Sequence, residues 1–235
     1  LKTSVELIVE AKKNAALEAV KHVKNNSVIG LGSGTTVAFA IEALGKRVRE
    51  EKIKILGIPS SYQAFQLAVE HGIQLTTLDE HPVIDVTIDG ADQVTPELYL
   101  IKGMGAALLK EKIVAAASKY NIIIVDESKR AKVLGENNQT VPVEVLPFAV
   151  SLVKNKITML GGTVVVRDGK GKLGPIITDN GNMIIDVNFG LIPNPCELAV
   201  KMKNIPGVVE TGFFIGLTDL VYVATENNVE KLENK

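Results

Sequence analysis

Between Ile84 and Lys112 the stretch IDVTIDGADQVTPELYLIKGMGAALLKEK gathers Asp89, Asp92, Lys102 and Glu111. One apolar run ends in Asp89-Gly90-Ala91-Asp92, a second ends in Lys102-Gly103-Met104-Gly105, and a helix-forming segment carrying Glu111 follows at once. Open α/β sheets place their chemistry in the crevice beyond the carboxyl ends of the strands, where these groups fall. The chemistry they suit is proton transfer. Burial can move a glutamate from about 4.3 towards 6 or 7, and a well-placed general base contributes roughly 10²- to 10⁴-fold. A lysine or the amides of a helix N-terminus then holds the oxyanion of an enediolate. The rival role for Asp89 and Asp92 is magnesium binding, which two carboxylates with no histidine nearby suit only if substrate oxygens complete the shell. The shortage of histidine or clustered carboxylate ligands favours proton transfer by side chains alone, without a metal.

A second candidate lies upstream. Ser27-Val-Ile-Gly-Leu-Gly-Ser-Gly-Thr-Thr36 reads as a short strand, a tight turn and the start of a helix. Glycines at 30, 32 and 34 allow a sharp turn and close approach to a ligand, and the amides of Ser33, Gly34, Thr35 and Thr36 point from a helix N-terminus towards an anion such as a phosphate. The turn lacks the Gly-Lys-Ser/Thr ending of a P-loop, and Val37 stands where the dinucleotide pattern has its last glycine. Read without function, the same glycines serve close helix-on-strand packing.

The elements that position these groups alternate. Val5 to Val23 has the three- and four-residue apolar spacing of an amphipathic helix. Its Lys12 and Lys13 form a solvated face or reach an anionic substrate. Strands are predicted at the start of Ser27–Thr36 and over 53–58, 76–78, 84–88, 98–101 and 122–125, with helical spacing over 37–44 and helices over 62–71 and 106–119 between them. The serine of Pro59-Ser60-Ser61 is suited to cap the helix from Tyr62. Such alternation calls for a parallel sheet with helices on both faces. Asp126-Glu127-Ser128-Lys129 ends another strand, so Lys129 is either a surface lysine opening a loop or a further cation at a strand end.

After Lys129 the texture changes, through Gly135-Glu-Asn-Asn-Gln139 and then Pro142 and Pro147 around a short apolar run. A domain boundary is expected here. Phe148 to Val153 reads as a helix, Thr163 to Arg167 and Pro175 to Thr178 as a hairpin about Asp168-Gly169, Met183 to Val187 as a strand, and Cys196 to Met202 as a helix. From Val208 the chain reads as strands returning to the first sheet, with an exposed tail from Asn227. The expected layout is an α/β domain of residues 1–129 plus 208–235 and a smaller α+β domain of 130–207.

Composition narrows the function classes. With 26 basic and 27 acidic residues among 235, a formal charge of -1 and 46% hydrophobic content, the chain has no basic field for a nucleic-acid backbone. There is no secretory segment and no apolar run of membrane-spanning length, and one cysteine excludes an internal disulfide, so a cytoplasmic location is expected. Cys196 has no partner motif and is expected to pack inertly. His22, His71 and His81 read as surface or capping residues.

GLGSGTT, IDGADQV, LIKGMGAALLKEK, VDESK and VPVEVLPF stand in the order and spacing of the A-type ribose-5-phosphate isomerases, which the whole chain resembles. The resemblance implies a Rossmann-like open, mostly parallel sheet with helices on both faces and an inserted smaller α+β domain, assembled as a homodimer or homotetramer. It also implies a cofactor-free aldose-ketose isomerase of the non-oxidative pentose phosphate pathway, interconverting ribose 5-phosphate and ribulose 5-phosphate. By position, Glu111 matches the residue that moves a proton between the first two sugar carbons. Asp89 and Lys102 match groups around the ring oxygen and hydroxyls, with Asp92 supporting them. Gly90, Ala91, Gly103, Met104 and Gly105 are carried over with them as substrate-binding positions. Ser33 to Thr36 match the family's phosphate-side or sugar-side loop, Lys129 matches its VDESK lysine, and Lys12 is the better candidate of the N-terminal pair because the first helix aligns without a gap. The chain departs from the family at Met104, where many members have glycine, and at Lys110, where arginine is common; Lys110 is expected to face away from the base.

Two other readings compete. One is a related amino-sugar phosphate isomerase-deaminase or acyl-CoA transferase, of which the deaminase would want a histidine near its acid-base group. The other is a non-catalytic sugar-phosphate sensor, which would not need Lys102 and Glu111 together. One geometric question stands out: a continuous helix from Gly103 would carry Glu111 about 12 Å along its axis. The helix must run beside the pocket or begin later than Gly105.

Overall fold

A computed structural model describes residues 3–233, which form two compact units. The first holds the described residues up to Ala91, Lys110–Arg130 and those from Gly216; the second holds Asp92–Leu109 and Ala131–Ile215. In chain order the first unit begins with α1 (Ser4–Val20), β1 (Ser27–Leu31), α2 (Thr35–Glu50), β2 (Ile55–Pro59), α3 (Tyr62–Glu70), β3 (Gln74–Leu75) and β4 (Val86–Asp89). The second unit opens with β5 (Gln93–Val94) and β6 (Leu100–Ile101), and the chain returns to the first through α4 (Leu108–Ala116) and β7 (Asn121–Asp126). The second unit resumes with β8 (Val141–Val145), α5 (Val150–Met159), β9 (Thr163–Val166), β10 (Met183–Asn188), α6 (Pro195–Lys203), β11 (Val208–Thr211) and β12 (Phe213–Phe214). Strands β13 (Leu220–Ala224) and β14 (Val229–Glu233) complete the first.

Helix α1 starts on a capping box: the Glu6 amide donates to Thr3 Oγ1 at 3.3 Å while Glu6 Oε2 accepts from the Thr3 amide at 2.7 Å. Its buried face is Ala11, Ala15, Ala16, Ala19 and Val20, while Val5, Ile8 and Val9 are exposed. The helix ends before the expected Val23 because Arg47 Nη1 takes the carbonyls of Val20 and Val23, at 2.6 and 3.0 Å. Those oxygens therefore need no further helical turn.

The sheet of the first unit has the order β14-β13-β7-β4-β1-β2-β3 and is parallel except for β14. Ile29 and Leu31 of β1, Val86 and Ile88 of β4, and Ile122 and Ile124 of β7 share one core with α1, α2 and α3. On the opposite face Val28, Ile58 and Ile84 pack with Val114 of α4. Helices thus cover both faces, which is why β7 is buried along its whole length. The tail from Asn227 is largely exposed, as expected, and also forms an edge strand, with β14 pairing antiparallel to β13 from Ala224 opposite Val229. Its charged residues Glu230, Lys231 and Glu233 suit an unpaired edge.

In the second unit an antiparallel sheet of order β11-β8-β10-β9 packs Val143, Val145, Ile185 and Val187 against Val153 and Ile157 of α5 and Met202 of α6. A smaller antiparallel sheet has the order β12-β6-β5. Residues 92–109 and 208–215 therefore lie with this unit, because β6 pairs with β5 on one side and β12 on the other, and β11 pairs with β8 rather than returning to the large sheet. The hairpin expected between 163–167 and 175–178 does not form a ladder: β9 pairs with β10, leaving single bridges from Asp168 to Pro175 and Ile177 to Met183. A distant group explains the difference. Glu144, fully buried on β8, accepts bonds from Thr178 Oγ1, Asn180 Nδ2 and Asn182 Nδ2 at 2.9, 3.0 and 2.8 Å, which draws the 178–182 turn onto that strand. Cys196 is exposed rather than packed.

Candidate active site

In the first unit the site grows from two glycines that have no room for a side chain. A Cβ on Gly30 would come 1.9 Å from Thr87 Oγ1 and 2.6 Å from Val114 Cγ1, so α4 lies tight against β1. A Cβ on Gly32 would come 2.2 Å from Asp89 Oδ1 and 2.6 Å from Asp89 Cα. Close packing thus accounts for Gly30 and Gly32. Only Gly34, at φ +104 with open space around its Cβ position, serves a turn that an L side chain resists.

That turn delivers the N-terminus of α2. The Ser33 amide donates to Asp89 Oδ1 at 3.1 Å and the Gly34 amide to Gln63 Oε1 at 2.8 Å. The first intrahelical bond runs from the Ala38 amide to the Gly34 carbonyl, so Thr35, Thr36 and Val37 carry the amides that open the helix. Lys12 Nζ donates to Thr35 Oγ1 at 2.9 Å, which brings the first helix to the start of the second, while Lys13 lies 5.4 Å from the centre of the Phe39 ring. Ser33 Oγ is 2.9 Å from Ser60 Oγ and 2.6 Å from Ser61 Oγ. Ser61 also caps α3 through the Ala64 amide at 3.1 Å, in line with the reading of that turn.

Asp89 ends β4, buried, with Oδ1 also accepting from the Gly90 amide at 2.7 Å; Gly90 and Ala91 are half-buried. Lys129 follows β7 in a single turn held by Asp126, whose Oδ1 accepts from the Ser128 amide at 3.0 Å and from the Ser128 hydroxyl. Glu111 lies in the first turn of α4 and is 5% exposed. The question left by the sequence is therefore answered by a late helix start: Gly103 at φ +106 and Ala106 at φ +60 turn the chain, and the Ala106 amide bonds the Gly103 carbonyl at 3.0 Å before α4 begins at Leu108. Lys110 Nζ sits 5.1 Å from the centre of the Tyr62 ring.

In the second unit Lys102, 3% exposed, follows β6, a strand of the small antiparallel sheet rather than of the parallel one. Its amide donates to the Gly212 carbonyl at 2.9 Å and its Nζ lies 5.3 Å from the centre of the Phe214 ring. Asp92 Oδ2 accepts from the Met104 amide at 2.9 Å, so this carboxylate caps the turn that Lys102 opens. Arg167 Nη1 donates to the carbonyls of Gly103 and Met104, each at 2.9 Å. Gly105 has nothing within 4 Å of its Cβ position.

Sequence reasoning did not single out Ser60, Gln63 or Arg167 for the loops they hold. A signal existed for the first two: β1 and β2 pair in parallel with Leu31 opposite Pro59, which sets the turn after β2 beside the turn after β1. For Arg167, distant in the chain from Gly103, there was none. Among the described residues no group of three or more His, Cys, Asp or Glu side chains is placed to hold a metal ion, and no helix is long and apolar enough to cross a membrane.

The fold and this rim define an open α/β enzyme of the kind that takes small charged molecules beyond the carboxyl ends of its strands. The sequence model of ribose 5-phosphate isomerase A (phosphoriboisomerase A) matches residues 56–228. The chain is 47% identical over 228 residues to ribose-5-phosphate isomerase A of Methanothermobacter thermautotrophicus, covering 97% of this chain and 100% of that protein. It is 42% identical over 229 residues to ribose-5-phosphate isomerase of Sus scrofa, covering 96% and 75%. Among solved structures, ribose 5-phosphate isomerase A of Methanocaldococcus jannaschii superposes with a TM-score of 0.92 at 46% identity, covering 96% of this chain and 99% of that one. A D-ribose-5-phosphate isomerase in complex with phospho-erythronic acid superposes with a TM-score of 0.94 at 43% identity, covering 97% and 99%. The chain belongs to the ribose 5-phosphate isomerase A family.

Proposed function

We infer that this protein is an aldose-ketose isomerase interconverting D-ribose 5-phosphate and D-ribulose 5-phosphate. Membership of the family supports the reaction, and a relative solved with a phosphorylated sugar acid supports the substrate class. The roles of the residues are those that the resemblance to the family implies. Glu111 takes the proton from the second carbon of the open-chain aldose, leaving an enediolate, and returns it to the first carbon to give the ketose. A hydroxyl proton moves from the second oxygen to the first in the same interconversion. Asp89 serves the ring oxygen and hydroxyls as proton carrier, Lys102 offsets the enediolate charge, and Asp92 holds the Lys102 turn. The opening amides of α2, with Lys12 and Lys129, take the phosphate. The observation that carries the assignment is the buried carboxylate of Glu111 in the first turn of α4, where the tight contact of Val114 with Gly30 sets the helix against β1. The absence of histidine from the motifs that carry Asp89, Lys102 and Glu111 speaks against the deaminase reading.

The reading includes a cytoplasmic enzyme acting as a homodimer or homotetramer without metal. Incubation with ribose 5-phosphate and excess EDTA, followed by ketose formation, tests it directly. The rate is expected to equal that without chelator. Loss of activity restored by magnesium or manganese would overturn the metal-free mechanism and make Asp89 and Asp92 ligands.

A further inference from the structure

The Lys102-Gly103-Met104-Gly105 turn follows a strand only two residues long, and Gly103 holds a φ of +106. Such a turn does not hold its own shape. Its amides are bonded at two points, Lys102 N to the Gly212 carbonyl and Met104 N to Asp92 Oδ2, both at 2.9 Å. Its carbonyls are held from the far side of the second unit's sequence. Arg167, at the end of β9, donates Nη1 to both Gly103 O and Met104 O at 2.9 Å, and its Nη2 lies 3.9 Å from Met104 Sδ. The rest of the guanidinium is committed to Asp186 on β10: Nε donates to Oδ2 at 2.7 Å and Nη2 donates to Oδ1. The Arg167 and Asp186 side chains are 12% and 18% exposed. A planar fork is thus locked on one edge by a carboxylate and presents its other edge to two successive carbonyls, a geometry a lysine cannot reproduce.

We propose that Arg167, oriented by Asp186, is a positioning residue of the isomerase, setting the Lys102 turn at which the enediolate charge is offset. This rests on the role given to Lys102 above. Displacing a catalytic group by about 1 Å from its productive geometry can cost on the order of 10²-fold. Arg167→Lys keeps the charge beside Asp186 but releases at least one carbonyl. It is expected to lower kcat by about 10- to 100-fold with KM for ribose 5-phosphate changed far less. Asp186→Asn, which loosens the same fork from behind, should move kcat in the same direction by a smaller factor.

The decisive measurement is a cycle in the full-length enzyme, comparing wild type, Arg167→Lys, Lys102→Met and the double variant, each at equal folded fraction by circular dichroism. If Arg167 acts through the turn, adding Arg167→Lys to Lys102→Met costs almost nothing further in kcat. A second readout covers poor folding: millimolar methylguanidinium added to Arg167→Ala should restore part of the lost kcat, and addition to Lys102→Met should not. Arg167→Lys at wild-type kcat, or losses in kcat that simply multiply in the double variant, would overturn the proposal while leaving the isomerase reading intact. An active Lys102→Met enzyme would remove that reading's use of Lys102 and the proposal with it.

Discussion

The two rims of the seven-stranded sheet use aspartate in the same way and carry opposite fields. At the amino rim Asp85 Oδ2 accepts from the Val28 amide at 2.9 Å, and Asp219 Oδ2 accepts from the Asn121 amide at 2.7 Å. At the carboxyl rim Asp89 and Asp126 accept from Ser33, Gly90 and Ser128. A carboxylate bonded to backbone amides is therefore not in itself a mark of chemistry. What differs is the helices. In a parallel sheet each covering helix runs back against its strands, so helices end at the amino rim and begin at the carboxyl rim. At the amino rim two arginines are taken up by those endings, Arg47 holding the Val20 and Val23 carbonyls and Arg49 Nη1 the His71 carbonyl at 3.0 Å, while Lys119 Nζ pairs with Asp85 at 2.9 Å. At the carboxyl rim α2 opens with no acidic residue in its first turn, and Lys12 stands beside it. The topology thus turns the amide ends of the helices towards one rim, where an anion is favoured, and their carbonyl ends towards the other.

The largest test of this division is Glu111→Gln, which keeps size and polarity and removes the base. The expected fall in kcat is at least the roughly 10²- to 10⁴-fold of a general base, with substrate binding retained. A solvated helix glutamate would change stability by only about 0.5 kcal/mol and leave turnover alone. Solvent exchange sharpens the point: transfer through an enediolate puts deuterium at the second carbon of recovered ribose 5-phosphate, and a hydride shift puts none. An active Glu111→Gln enzyme would shift the role of base to Asp89.

Next in size is Gly32→Ala. Its Cβ would meet the Asp89 backbone as well as the side chain, so Asp89 must move together with the Ser33 amide it holds. Overpacking of this kind costs about 1 to 3 kcal/mol, measurable by urea unfolding. Because the strain lands on the aspartate proposed as a proton carrier, kcat/KM should fall by more than the loss of folded protein explains. If activity per folded molecule is unchanged, Gly32 serves packing only and Asp89 is not poised by it.

Lys129→Ala probes the phosphate side. Loss of one charged hydrogen bond, about 1.5 kcal/mol or more, should raise KM by roughly 10-fold and lower kcat less. Ribose without its phosphate should be a very poor substrate. Comparable turnover of ribose would show that neither Lys129 nor the opening of α2 selects for phosphate.

The carboxyl rim was also the more legible part of the chain. Asp89, Lys129 and the Ser33–Thr36 turn follow β-branched or apolar runs that the parallel sheet buries on both faces, so their places at strand ends could be read from local pattern. The second unit resisted the same reading because its turns are set by residues far away. Pro175 to Thr178 has the composition of a strand, yet Glu144 draws Thr178, Asn180 and Asn182 to itself. Lys102 looked like one more strand end of the parallel sheet, and the pairing of β6 with β12 shows otherwise. Ala106 and Ala107 have helical propensity, but the positive φ at Ala106 delays the helix and brings Glu111 into its first turn.

The smallest expected effect belongs to the amino rim. His22, just past the end of α1, has Nε2 2.8 Å from the Tyr222 hydroxyl, and its ring stacks on Tyr120 with centroids 6.0 Å apart. Burial, followed by the charge of Lys231, pushes its pKa below 6.5, while Glu233 and Glu18 act the other way. The unfolded chain then binds the proton more readily than the folded one, so stability is fully present above about 6.5 and falls as pH drops from there to the folded value. The ring is partly exposed and solvent screens its neighbours, which keeps the effect well under about 1 kcal/mol. His22→Gln should flatten the decline in melting temperature between about pH 7 and pH 5 while kcat at pH 7.5 stays within about twofold. An unchanged slope would assign the pH dependence to other groups. A large change in kcat would be the more serious result, because it would mean that the amino rim communicates with the chemistry proposed for the opposite rim.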